Sequence, residues 1–185
     1  MVLGDSLSAA YGLPQAQGWV SLLQQRLQQK KLPYQVFNAS ISGETSSGGL
    51  YRIDNLLAQH SPAIVMLELG ANDGLRGLSP AATQDNLEQI IQRVHKRGAR
   101  VILIGMRLPP NYGPAYTEKF QAVFTTLAQR YHLPFVPFLL APIAAKRDYF
   151  QADGLHPVAA AQILLLDGLW PTVQQTLSLE KASAS

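Results

Sequence analysis

Residues 63–74 read AIVMLELGANDG. The apolar, β-branched run from Ala63 to Leu69 has the pattern of a buried strand. A glycine-flanked segment, Gly70-Ala71-Asn72-Asp73-Gly74, follows at its end. One such pair does not define a fold, but the same grammar recurs on either side. Upstream, Met1-Val2-Leu3 leads into Gly4-Asp5-Ser6, and YQVFNASI at 34–41 leads into Ser42-Gly43-Glu44-Thr45. Downstream, RVILIG at 100–105 and LPFVPF at 133–138 also read as strands.

Between these runs the apolar residues shift to helical spacing. In 18–31, Trp19, Leu22, Leu23 and Leu27 fall near one face, and in 49–59 Leu50, Ile53, Leu56 and Leu57 do the same. Segments 80–97 and 115–131 repeat the pattern, and a last helix is expected from near Pro157 to about 178. Strand then helix, about five times over, specifies an α/β fold whose parallel sheet is covered on both faces. Short connections and right-handed crossovers favour an open, doubly wound sheet. A closed eight-stranded barrel would need ~250 residues. No internal repeat or linker interrupts the 185 residues, so one domain is expected over 1–178, with a frayed polar tail at 179–185.

Composition narrows the function classes. The chain is 47% hydrophobic and 15% charged, which suits a packed core. Its longest apolar candidate, Ile163 to Leu166, is broken by Asp167 and Gly168, so no stable membrane insertion is expected. The absence of cysteine excludes disulfides and thiolate chemistry. The net charge of +3 comes without a basic stripe. Lys30-Lys31 and Lys96-Arg97 fall at expected helix ends, where cations complement the helix dipole, and no nucleic-acid motif accompanies them. The three residues before Gly4 are fewer than the ~5–6 of an ordinary strand, so a trimmed form of a longer product is expected.

In an open parallel sheet, ligands bind at the carboxyl ends of the strands. The segments around Ser6, Gly43 and Asn72 all sit there. A serine hydroxyl needs a base to take its proton, and the base needs an orienting group. Of four histidines, His60, His95 and His132 read as structural. His156 differs, because Asp153 precedes it in the turn Asp153-Gly154-Leu155-His156-Pro157. Asp153 can accept the Nδ1 proton and leave Nε2 facing Ser6. The same residues also suit an Asx turn capping the last helix, and Ser6 also suits a helix cap. The N–H groups of Ser6 and Gly43 and the amide of Asn72 are candidate oxyanion donors. Neither GxGxxG nor GxxxxGK[ST] is present, and Asp5 would repel a phosphate.

The blocks GDSLS, SGETS, GANDG and DGLHP together resemble the SGNH hydrolases, the GDSL esterases and lipases. The stretches GWVSLLQQRL, LELGANDGLRG and MRLPPNYGPAYTEKF are similar to the family's small bacterial branch of thioesterases, lysophospholipases and arylesterases. The resemblance implies a three-layer α/β/α sandwich with five parallel strands in flavodoxin-like order 2-1-3-4-5. It implies a catalytic triad of Ser6, Asp153 and His156, with an oxyanion hole of Ser6, Gly43 and Asn72. It further implies acyl esters or thioesters as substrates, no cofactor or metal, a monomer, and a periplasmic or secreted location. Loops at the same sheet edge are expected to line a hydrophobic acyl pocket: Leu75, Arg76, Leu108, Pro109, Pro110, Asn111, Tyr112 and Phe150. Glycines 74, 77 and 113 are expected to let two of these loops move. The alternatives are a carbohydrate acetyl esterase on the same fold and a non-catalytic flavodoxin-like binding domain.

Overall fold

Four of the expected strands pair in parallel, in the order β1 (Val2–Gly4), β2 (Ile64–Glu68), β3 (Arg100–Ile104), β4 (Phe135–Val136). The computed structural model describes residues 1–183. The helices are α1 (Trp19–Gln29), α2 (Ser46–His60), α3 (Ala71–Leu75), α4 (Pro80–Lys96), α5 (Pro114–Arg130) and α6 (Ala159–Ser183).

The register explains why both sheet faces are apolar. Val2, Met66 and Ile102 lie in one row, and Leu3, Leu67 and Leu103 in the next. Successive residues of a strand point to opposite faces. The first row meets Leu23 and Leu27 of α1 and Val173 and Leu177 of α6 around a cavity of about 140 Å³. On the other face, Leu3 approaches Gly49 of α2, beside Ile90 of α4. Helix α1 packs on α6, while α4 packs between α2 and α5. The result is the expected helix–sheet–helix sandwich. Among the described residues no helix is long and apolar enough to cross a membrane.

The expectation of five strands is corrected to four. Segment 34–41 does run along the outer edge of β1: Val2 donates to Phe37 O at 2.8 Å, and Ala39 donates to Val2 O at 2.8 Å. It makes only one isolated parallel bridge, Val2 with Asn38. One further bond, Ile41 N to Gly4 O at 3.1 Å, extends the contact, while Ala39 O is taken by Arg52 Nη2 at 2.8 Å. Counting this edge segment, the order is the expected 2-1-3-4-5. Helix boundaries also shift. Helix α2 starts earlier than residue 49, at Ser46, with Thr45 Oγ1 accepting from Gly48 N. Helix α6 starts at Ala159 because Pro157 is bridged to Phe150, and it runs to Ser183, past the expected end near 178. The last part of the expected tail, 184–185, lies outside the described residues.

Helix α2 can lie close to the sheet because Gly49 has no side chain. A Cβ there would stand 2.2 Å from Leu69 Cδ1. Gly49→Ala should therefore cost about 1–3 kcal/mol through overpacking, despite alanine's better helix propensity. Urea denaturation checks this: an unchanged or raised midpoint would show that α2 can retreat freely.

Candidate active site

Strand β1 ends at Gly4, where a side chain would collide with its neighbours: a Cβ would lie 2.6 Å from Glu68 Oε2 and 2.8 Å from Ser8 Oγ. The chain then turns tightly. Leu7 N donates to Asp5 Oδ1 at 3.0 Å, and Tyr11 N donates to Ser6 O at 3.1 Å. No α-helix begins here, since α1 starts after Gly18, so Ser6 is not a helix cap. Its Oγ lies 2.8 Å from His156 Nε2 instead.

His156 Nδ1 lies 2.6 Å from Asp153 Oδ2. The other carboxylate oxygen accepts from Leu155 N at 2.9 Å and from His156 N at 3.0 Å. The Asx-type bonds fix the carboxylate, and the fixed carboxylate meets the imidazole, but neither bond caps α6, which starts only at Ala159. The hydrogen bond from His156, with the two backbone N–H groups, lowers the Asp153 carboxyl to about 2. The Tyr11 ring lies 4.4 Å from the imidazole. The other histidines have different surroundings: His60 stacks on Phe37, His95 meets Tyr131 edge-on, and His132 sits in a left-handed turn at φ 50°.

Asn72 lies on α3, the short helix that follows β2. Its Nδ2 donates to Asp5 Oδ2 at 3.1 Å and to Glu44 O at 3.0 Å. Gly43 has φ +80°, a conformation that favours glycine. Arg76 was expected to line the acyl pocket. It reaches back instead and donates from Nη2 to Gly43 O at 2.9 Å, bracing that turn. Asp73, buried beside Asn72, accepts from Ser46 N at 2.8 Å and from Ser46 Oγ at 2.5 Å. These bonds tie α3 to the start of α2, and so tie the Asn72 segment to the Gly43 segment.

A cavity of about 460 Å³ opens beside Ser6, Asn72 and His156. Leu75, Leu108, Pro109, Pro110 and Phe150 line it as expected. Arg76, Asn111 and Tyr112 do not. Tyr112 turns its hydroxyl to Leu75 O at 2.9 Å, and Asn111 lies exposed in a single 3-10 turn. Gly74 lies buried within α3, where a Cβ would stand 2.6 Å from Leu108 Cδ2. Sequence reasoning missed Met106, Arg107, Phe138 and Leu140, which also line the cavity. The carboxyl-end rule, applied to the residues just after β3 and β4, points to them.

Two buried acids beneath Ser6 were also missed. Glu68 is fully buried, and its Oε2 accepts from Ser8 Oγ at 2.7 Å and from Asp5 N at 3.3 Å. Its Oε1 has no protein partner. Burial raises the Glu68 carboxyl well above the usual range and raises Asp5 to about 6. The nearby Asp5 charge raises Glu68 further, and the Asp73 charge adds to the rise of Asp5. Glu68 therefore keeps its proton in the folded protein at pH values where the unfolded chain has lost it, above about 4.3. The native state then binds more protons than the unfolded state, so stability falls as pH rises. Glu68→Gln removes that proton from the balance. The melting temperature of the variant minus that of the parent should thus increase from pH 5 to pH 8. A constant difference would mean that Glu68 does not titrate differently on unfolding.

The sequence matches the GDSL-like lipase/acylhydrolase family over residues 2–162. It is 50% identical over 177 residues to esterase TesA of Pseudomonas aeruginosa, covering 96% of this chain and 88% of that protein. It is 42% identical over 174 residues to thioesterase 1/protease 1/lysophospholipase L1 of Escherichia coli K12, covering 94% of this chain and 82% of that protein. The crystal structure of the psychrotrophic esterase EstA from Pseudoalteromonas sp., inhibited by monoethylphosphonate, superposes with a TM-score of 0.92 at 42% identity, covering 96% of this chain and 97% of that one. Sequence match, relatives and superposition agree over nearly the whole chain, which belongs to the GDSL-like lipase/acylhydrolase family.

Proposed function

We propose that this chain is a serine ester hydrolase of broad specificity, cleaving acyl thioesters, aryl esters and lysophospholipids through an acyl-Ser6 intermediate. The observation that carries this reading is the continuous chain from Ser6 Oγ through His156 to Asp153, at 2.8 and 2.6 Å, beside an apolar cavity. His156 Nε2 takes the Ser6 proton as Oγ attacks the substrate carbonyl carbon. Asp153 stabilises the resulting imidazolium and holds its tautomer. The tetrahedral oxyanion takes hydrogen bonds from the N–H of Ser6 and Gly43 and from Asn72 Nδ2. Both Asn72 amide hydrogens have acceptors in the free protein, so one must be shared with the oxyanion as it forms. Collapse expels the thiol or alcohol, which leaves with the proton held by His156. Water, deprotonated by the same imidazole, then releases the acid and restores Ser6. Every proton moves through Ser6, His156 and water, so the cycle calls for no metal or cofactor. The family resemblance further supports a monomeric, single-domain enzyme working in the periplasm or outside the cell.

The cavity's lining favours hydrophobic acyl groups over the small polar acyl site that a carbohydrate acetyl esterase needs. Leu75, Leu108, Pro109, Pro110 and Phe150 supply that lining next to the reacting atoms.

Ser6→Ala should abolish ester hydrolysis while the fold survives; a folded variant with near-parental turnover would end the serine mechanism. Asp153→Asn should cost orders of magnitude, though less than His156→Ala, by disturbing the tautomer and orientation of His156. Asn72→Ala should lower kcat by roughly 10²–10³ with little change in KM, the signature of an interaction made in the transition state. Since the Asp153 carboxyl lies near 2, it stays ionised through the acidic range, and loss of activity there must reflect other groups.

On a panel of p-nitrophenyl esters from acetyl to palmitoyl, kcat/KM should climb with acyl length and level off when the cavity is full. Each buried methylene gains up to ~0.8 kcal/mol, which is ~4-fold in rate. A maximum at acetyl with a steep fall by butyryl would favour the acetyl esterase instead.

A further inference from the structure

Ser6 and His156 lie on different segments of the fold. One is in the turn after β1, the other in the loop that enters α6. Their 2.8 Å contact is only as well defined as the relative position of those two loops. One other hydrogen bond, among the described residues, joins residues 5–13 to residues 147–158: it comes from the side chain of Gln151.

A primary carboxamide has two hydrogens to donate. Gln151 Nε2 gives one to Tyr11 O at 2.8 Å, in the loop of the nucleophile. It gives the other to Pro157 O at 3.1 Å, beside the base. Its main-chain N–H donates to His156 O at 2.7 Å. The surroundings fit this amide closely. Gly12 has φ +73°, and a Cβ there would stand 2.4 Å from Gln151 Oε1. Arg147 in turn donates to the carbonyls of Phe150, Gln151 and Ala152 at 2.9, 2.8 and 3.0 Å, which braces the backbone that carries Gln151. The Tyr11 ring, set by the same link, lies against the imidazole at 4.4 Å.

We propose that Gln151 is a positioning residue for the Ser6–His156 pair, its carboxamide pinning the loop of the nucleophile to the loop of the base. The proposal rests on the serine hydrolase reading above. Gln151 touches neither Ser6 Oγ nor the substrate cavity, so its effect passes through the placement of the pair. A misplacement of about 1 Å can cost on the order of 10²-fold in rate without touching substrate binding.

The test compares Gln151→Leu, which keeps the bulk and removes both donors, with Gln151→Ala and Gly12→Ala. The last should displace the amide oxygen without altering Gln151. An organophosphate first titrates the active sites, which also confirms that the parent is a serine hydrolase; failure of the parent to be labelled would count against that reading, independently of Gln151. Per titrated site, all three variants should lose about 10- to 100-fold in kcat, with KM within about 2-fold and slower organophosphate labelling. The double variant Gln151→Leu with Gly12→Ala should lose little more than either alone. The proposal is overturned if kcat per titrated site is unchanged and only the active fraction or melting temperature falls. It is equally overturned if KM rises while kcat holds, or if the losses of the two sites simply multiply.

Discussion

The contact between Ser6 Oγ and His156 Nε2 joins residues 150 positions apart, and the rest of the molecule can be read as the apparatus that keeps it. The Asp153–His156 half is local. Three residues separate the two, and the turn's own backbone N–H groups fix the carboxylate before the imidazole arrives. The Ser6 half is not local. It needs the parallel sheet to hold β1, the tight turn at Asp5 to present the hydroxyl, and α6 packed on α1 to bring the His156 loop to the same edge. A hydrogen bond of this kind tolerates only a few tenths of an ångström, so the burden falls on the tertiary packing rather than on either loop.

That packing accepts an electrostatic cost. Asp5 and Glu68 sit fully or almost fully buried beneath the serine, where a charged carboxylate is expensive. The arrangement is stable because one acid stays protonated and the other is held by N–H donors from Leu7 and Asn72. Asp5 is thereby useful in spite of its burial. It orients the Asn72 amide from one side while Glu44 O does so from the other. Ser8, bonded to Glu68 and with its carbonyl held by Asn38, ties the same turn to the sheet's outer edge. Polar groups of this kind stabilise little in net terms, but they restrict the turn to one conformation.

How much of this was legible in the sequence depended on whether the cause was local. Apolar period located β1 to β4 and the long helices, because burial on both faces leaves its mark residue by residue. Segment 34–41 carries the apolar pattern of a full strand but pairs with β1 only in part, because Ala39 O is taken by Arg52, a partner that the pattern does not mark. Asn72, Gly43, Ser6 and the Asp153–His156 turn were legible because strand ends, glycines and short spacings mark them. Arg76 was misplaced for the opposite reason. A long side chain next to the site can reach in several directions, and only the assembled fold shows that it turns back to Gly43 O. Gln151 was invisible, since its partners are main-chain carbonyls of Tyr11 and Pro157, which any residue type would supply.

The walls of the cavity follow a different logic from its reacting centre. They too are cross-linked: Tyr112 and Tyr116 donate to Leu75 O and Leu78 O, and Gly74 packs closely against Leu108. An apolar wall makes no directional demand. It distinguishes acyl groups chiefly by volume, at up to ~0.8 kcal/mol for each buried methylene. A hydrogen-bonded centre beside a largely apolar wall gives both properties at once. The chemistry is strict about the ester carbonyl, and the binding is permissive about what is attached to it.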